Sequence, residues 1–530
     1  MNAPGRELFA EVALHDIPKL LTLQDRNTHS PTYGCFDRNY WHYRTADFPC
    51  GMSQEFVWPL ALAAAVDLPQ NPYRGNEVIC QYVRAGILFA VRNGHPDGSC
   101  DDYFLNERAL GATAFSLVAC AEAYKLMGMQ SDEALEFFQR RARWLSHRHE
   151  TGDLSNHQAL VALCLDVVGR LCKIDIFSVA RDECLGRLLS SQTSEGWFPE
   201  YGGFDAGYDT LTLSCLARLH QTAPSAQLEK AIRSSVALLS NFVHPDGSFG
   251  GEYGSRNTYN FFPHGFELAG RWLAEALTVN DRFLLGLSEG RAPCYSDDRI
   301  IGHHLWNYLL AARDFVTNRP GSTASPSNRI ELEQAGIIVD RRQATDLYLA
   351  LRKGGVFKLF RDRRLVLSDT GISLHLRNGK TAVAHLMDNY ERDVQVDRIS
   401  VRGEMGWAKQ KQMTPLKLIL LRFINLTLGR VAPNFVRAFL QRMLITRKHT
   451  APFRFQRTLE WKIDKWEIVD RIKANSWCDV ETAGIAPDQT SIYVAMSRTF
   501  QHGQLQPWLD LTEKVRALKD GEPLIVQRSM

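Results

Sequence analysis

Through the first three hundred residues, apolar positions recur three and four apart, in runs such as DEALEFFQRRARWLSHR and LEKAIRSSVALLSNFV. That spacing predicts amphipathic helices of about fifteen residues. Past Arg313 the pattern changes. TNRPGSTASPSNR is polar and rich in Pro, Gly and Ser, and reads as a linker. Short alternating runs follow: QAGIIVDRR, DLYLALRKGGVFKLFRD, RLVLSDTGISLHLRNGK, RTLEWKIDKWEIVDRIK and TSIYVAM. Their two-residue period and turn-rich boundaries predict the strands of an antiparallel β-sandwich.

The helical part is repetitive. HPDGSCDDYFLNERALGATAFSLVACAEAY, SQTSEGWFPEYGGFDAGYDTLTLSCLARLH and HPDGSFGGEYGSRNTYNFFPHGFELAGRWL each pass from a glycine turn through an aromatic and acidic loop into an apolar helix. A fourth, weaker copy begins at His149, and the turn glycines Gly98, Gly152, Gly196 and Gly247 stand 54, 44 and 51 residues apart. A period near fifty holds one helical hairpin, and stacked hairpins make an open solenoid or a closed ring with their loops on one rim. The expected organisation is a stack of helical hairpins, open or closed, over residues 1–316, a linker over 317–330 and an antiparallel β-sandwich over 331–530.

Composition adds limits. The chain has 530 residues, 45% of them hydrophobic, and a formal net charge of +3, which gives no general argument for binding nucleic acid. The N-terminal sequence lacks the basic and apolar pattern of a signal peptide, and no run of 18 apolar residues occurs. Eleven cysteines without CxxC spacing read as reduced thiols. Together these predict a cytoplasmic location. Neither a metal site nor a cofactor is expected from the motifs.

Charge is uneven in one place. From Met405 to Leu459 there is no Asp or Glu, but there are eleven Lys and Arg residues. The centre of this stretch, about 413–448, reads as two basic amphipathic helices broken at Pro433, inserted into the β-domain. An anionic membrane surface or an acidic polymer is the partner such helices suit.

Candidate chemistry lies in the rim loops. Arg38, Trp41 and His42 mix flat rings with a cation, as a sugar subsite would. Tyr103, Asn106 and Glu107 precede a helix, where capping is the competing role. Asn156 and His157 open another helix, and a carboxamide beside an imidazole can hold an acidic group and move a proton. Glu200 and Tyr208 follow in the next loop. Tyr253, Arg256, Asn257 and His264 occupy the one after that. Asp102, Asp205, Asp209 and Glu252 add carboxylates, enough for glycoside hydrolysis by a pair of them.

The feature order, with SNHQALVALCL, SSQTSEGWFPEYGGFDAGYDTLTL and RTLEWKIDKWEIVDRI, resembles the heparinase II/III-like polysaccharide lyases and related uronyl epimerases. The resemblance implies an α/α toroid with a β-sandwich, and an active site of an Asn–His pair and a Tyr beside a Glu-containing loop. Here those are Asn156, His157 and Tyr208, with Arg256 and His264 as further candidates and His375 or His385 as β-domain alternatives. The implied substrate is a uronic-acid-containing poly- or oligosaccharide. The implied reaction is β-elimination, in surface-polysaccharide metabolism. A uronyl C5-epimerase, a hydrolase of the same architecture and a non-catalytic glycan-binding protein are the alternatives. Gln192–Trp197 is also similar to a terpene-cyclase motif, but no DDxxD or DxDD accompanies it.

Overall fold

A computed structural model describes residues 5–148, 154–321, 328–408, 412–441, 448–486 and 499–530. The N-terminal part is helical: α1 (Arg6–His15), α2 (Ile17–Leu23), α3 (Arg38–Trp41), α4 (Val57–Ala65), α5 (Glu77–Asn93), α6 (Leu110–Leu126), α7 (Asp132–Ser146), α8 (Ser155–Cys172), α9 (Ile176–Ser190), α10 (Ala206–Thr222), α11 (Ala226–Leu239), α12 (His264–Gly270), α13 (Ala274–Ser288) and α14 (Ile301–Arg313). Helices α4, α6, α8, α10, α12 and α14 each pack on the next, and α14 packs back on α4. The hairpins therefore close into a ring. Inner helices such as α6 and α10 are buried almost all round, whereas α7 and α11 bury one face each. That division follows from position, because an inner helix has neighbours on every side.

The turn glycines explain the repeat. Gly98, Gly196 and Gly247 adopt φ of +90°, +97° and +81°. A Cβ on them would lie 2.5–2.6 Å from backbone atoms of Arg141, Ser234 and Gly286, on the outer helix of the following hairpin. Each turn needs glycine for its conformation and for this approach. Gly152, the fourth turn, lies outside the described residues, as does linker segment 322–327. Gln192 donates to the carbonyls of Gly196 (2.9 Å) and Ala231 (3.0 Å), which accounts for the Gln-x-x-x-Gly-Trp motif as a turn-to-helix clamp.

The second part is β-rich. Strands β1 (Arg329–Leu332), β2 (Ile337–Arg342), β3 (Thr345–Ala350), β4 (Val356–Arg361) and β5 (Arg364–Asp369) form an antiparallel meander. A nine-stranded sheet contains β6 (Ile372–Leu376), β7 (Thr381–Val383), β8 (Glu391–Val394), β9 (Arg398–Trp407), β10 (Thr450–Lys462), β11 (Lys465–Ala474), β12 (Val480–Ile485), β13 (Leu509–Asp510) and β14 (Leu524–Ser529). The run TSIYVAM lies outside the described residues.

Alternation along the meander positions the two domains. Val339, Tyr348, Val356 and Phe360 join the toroid's core. Ile338, Leu347, Leu349, Phe357 and Leu359 face the core shared with the larger sheet. The first sheet is thus covered on both faces, and β2–β4 are buried along almost their whole length, charged positions such as Asp340 and Lys358 included.

Between β9 and β10 lie α15 (Pro415–Leu426), α16 (Leu428–Val431) and α17 (Pro433–Gln441). The sequence suggested two helices broken at Pro433. Among the described residues there are three, with Pro433 opening α17, where its missing N–H costs nothing.

Candidate functional site

The N-termini of α8 and α10 meet the loop Gly251–Asn260 on one side of the ring. Ser155 fixes the start of α8 by donating from its hydroxyl to the Pro199 carbonyl (2.8 Å). Directly after it, the Asn156 backbone N–H and side-chain Nδ2 both donate to Glu200 Oε1, at 2.8 and 2.7 Å. Asp205 caps α10 by accepting from the Tyr208 N–H (3.2 Å), and its second oxygen accepts from the Arg256 N–H (2.9 Å). One carboxylate therefore fixes Tyr208 and Arg256 relative to each other.

Arg256 is buried, with its guanidinium carbon 3.6 Å from the Tyr201 ring centre and 5.4 Å from that of Tyr208. Tyr201 and Asn257, on either side of it in the loops, hold φ of +52° and +56°. Backbone conformations so rare for side-chain-bearing residues tend to gather at functional sites. Among the described residues, Asn156 Oδ1, Glu200 Oε2, and Arg256 Nε and Nη1 are buried without a hydrogen-bond partner. Such a concentration of unpaired polar atoms is rare in a packed interior.

Burial pushes the Glu200 carboxyl up to about 7, against the opposing pull of the Asn156 donors, Arg256 and His157. Burial also pushes the Tyr208 phenol well above its usual value, because Glu200 and Asp205 offset part of the help from Arg256. Arg256 does pull this phenol down, but burial outweighs it. His157, next to Asn156, is half-buried and edge-on to Phe115, with ring centres 6.5 Å apart.

The β-domain contributes from below. Lys353 Nζ donates to the carbonyls of Glu252 and Gly254 and to Asn257 Oδ1, holding the loop that carries Arg256. Burial lowers its ammonium to about 8. Lys353→Met is expected to cost about 2 kcal/mol through these stranded acceptors, measured by chemical denaturation. His385 is buried nearby, with Nδ1 on the Thr370 carbonyl (3.0 Å) and Nε2 without a partner among the described residues. His375 instead meets the Thr381 hydroxyl (3.0 Å).

Several sequence candidates fall elsewhere. His264 pairs with Asp314 (2.8 Å) beyond the last turn of α14, and feels the charge of Arg218. Arg218 is ten residues along α10 from Tyr208, about 15 Å of helix rise. His264 is therefore separated from the cluster, and burial holds it down to about 4. Tyr253 stacks on Phe242 and Tyr348, its hydroxyl 3.0 Å from His244 Nε2, and is a packing residue of the domain interface. Glu107 accepts from the N–H groups of Asp102 and Tyr103 (3.2 and 2.7 Å), and Asn106 donates to the Asn425 carbonyl (3.1 Å), so both hold the rim loop.

Tyr103 is exposed on that rim, under Arg299 at 5.0 Å and within electrostatic reach of Tyr208. Arg38, Trp41 and His42 make a separate group: Arg38 lies over Tyr43 (5.0 Å), and the Trp41 indole donates to the Leu23 carbonyl (2.8 Å). A cavity of about 130 Å³ between Phe48 and Arg141 is lined by none of the Asn156–Glu200 cluster. Among the described residues, no group of three or more His, Cys, Asp and Glu side chains converges as a metal site would.

The pairing of Asn156 with Glu200 and the reach of Lys353 were missed from sequence. No family model and no curated protein matches this sequence. Among solved structures, the Streptomyces coelicolor A3 chondroitin AC lyase in complex with chondroitin sulphate aligns with a TM-score of 0.53 at 11% identity, over 90% of this chain and 67% of that one. A Paenibacillus xanthan lyase aligns with a TM-score of 0.51 at 11% identity, over 90% of this chain and 46% of that one. The chain thus spans about two thirds of the first protein and less than half of the second. What these likenesses share with it is the fold, a helical toroid followed by a β-rich domain.

Proposed function

We propose that this chain is a carbohydrate-active enzyme that removes the proton beside the carboxylate of a uronic-acid residue and cleaves the glycan by β-elimination. The observation that carries this reading is the buried cluster of Asn156, Glu200, Arg256 and Tyr208, with its unpaired polar atoms. The toroid it shares with two polysaccharide lyases, and the sequence resemblance to heparinase II/III-like enzymes, support it.

The chemistry divides among the residues by charge. Arg256 and the remaining Asn156 N–H bind the substrate carboxylate and stabilise the dianion that forms as the proton leaves. His157 takes that proton. The electron pair becomes a carbon–carbon double bond, the bond to the glycosidic oxygen breaks, and Tyr208 gives its phenolic proton to that oxygen. A phenol kept protonated by burial suits the donor role better than the base role. Glu200, when neutral, adds a further hydrogen-bond donor to the carboxylate, in the manner of a carboxylic acid buried to stay protonated.

Hydrolysis by two carboxylates is less well served. Asp102 pairs with Arg299 (3.1 Å), Asp209 accepts from the Phe198 N–H (3.2 Å), and Glu252 binds Lys358 and Ser368 at 3.2 Å. Asp205 is occupied by its capping bonds.

The Glu200 role has a signed pH dependence. Its folded value is raised from 4.5 to about 7, so the neutral donor is complete at low pH and is lost as pH rises through about 7. The alkaline fall in kcat/KM near 7 is expected in the unmodified protein and absent in Glu200→Gln, which keeps an amide donor. A fall that persists in Glu200→Gln assigns the limb to another group, Glu107 among them, and removes Glu200 from this role.

A further inference from the structure

The helices between β9 and β10 carry a surface that the site does not use. On α15, Leu416, Ile419, Leu420 and Phe423 follow the i, i+3, i+4, i+7 spacing of one helical face. Leu428, Val431, Phe435 and Phe439 continue the apolar surface on α16 and α17. All eight are between 52 and 86% exposed. The sides of these helices that meet the protein are smaller and more polar. Asn425 is buried, with its carbonyl accepting from Asn106, Arg422 pairs with Asp47 (2.6 Å), and Val436 is buried. A surface helix of a globular protein normally buries its apolar stripe, and here the stripe faces outward. Exposed apolar area of this extent marks an interaction surface.

Charge identifies the partner. Residues 405–459 contain no Asp or Glu, and Lys417 and Arg430 stand exposed on the same helices as the apolar face. Short helices with an outward apolar face and cationic flanks are the form that lies in a lipid interface, with apolar side chains among the acyl chains and cations among anionic headgroups. None of the described helices is long and apolar enough to cross a membrane. Pairing of two copies through this face would bring cations together without any acidic partner in the segment. We infer that α15–α17 dock the protein onto an anionic bilayer surface. Because Asn106 is bonded to Asn425, the docked helices adjoin the rim loop that carries Tyr103.

The test is co-sedimentation of the full chain with vesicles of phosphatidylcholine alone or mixed with phosphatidylglycerol, at low and high salt. Binding is expected to the mixed vesicles and to weaken with salt. It should fall at least about tenfold in Phe423→Ser/Phe435→Ser and also in Lys417→Gln/Arg430→Gln. These side chains are exposed, so thermal unfolding should be unchanged, and vesicle binding is read without reference to catalysis. Absence of binding to mixed vesicles, or equal binding by the Phe variant, overturns the inference. So does a dimer of the unmodified chain that the Phe variant dissociates while vesicle binding is absent.

Discussion

Tyr208→Phe is expected to lower kcat by about 100- to 10,000-fold while leaving glycan affinity nearly unchanged, the range general acid–base groups contribute. The substitution removes one hydroxyl and keeps the ring beside Arg256, 5.4 Å from the guanidinium. Asp205 caps α10 through the Tyr208 backbone N–H, which phenylalanine also supplies, so the helix start stays in place. The phenol is held protonated by burial, and its neighbours Glu200 and Asp205 oppose ionisation. The lost contribution should thus be proton donation to the departing oxygen. Single-turnover kinetics alongside equilibrium binding of the same oligosaccharide separate the two effects. Full activity in the variant would take Tyr208 out of the mechanism.

The second large effect is expected at Arg256. Its planar fork stacks on Tyr201 at 3.6 Å, and two of its nitrogens have no partner among the described residues. Lysine keeps the charge but neither stacks in the same way nor offers two parallel donors to a carboxylate. Arg256→Lys should therefore lose about 100- to 1,000-fold in kcat/KM, comparable to removing one preorganised donor to a developing oxyanion. A substrate whose carboxylate is reduced to an alcohol should be turned over poorly by both proteins. A large difference between them on that substrate would show that Arg256 acts on something other than the carboxylate.

The parts of this arrangement that could be read in the sequence are those set by local rules. Gly98, Gly196 and Gly247 marked the hairpins because their φ values and their contacts with a neighbouring outer helix admit no side chain. Alternation revealed the strands. Periodicity alone left an open solenoid or a closed ring, and the family resemblance supplied the toroid, because closure depends on α14 meeting α4, some 240 residues earlier, and periodicity names the buried face of a helix without its partner.

The site divided along the same line. Asn156 and Tyr208 stand at the starts of α8 and α10, and Arg256 in a loop, on the rim that the repeat predicts. Glu200 was visible as a carboxylate, but its bond to Asn156 spans 44 residues and its raised carboxyl is a product of burial. Lys353 comes from the other domain, 96 residues from the Asn257 it holds. His264 followed the order of the family resemblance, whereas the structure gives it to Asp314.

The central claim, elimination at this site, is tested most directly by ultraviolet absorbance of a panel of uronate-containing glycans incubated with the unmodified protein and with Tyr208→Phe. β-Elimination leaves an unsaturated uronate that absorbs, so absorbance should rise with the unmodified protein and stay flat with the variant. New reducing ends formed without that chromophore would contradict the account and assign the site to hydrolysis.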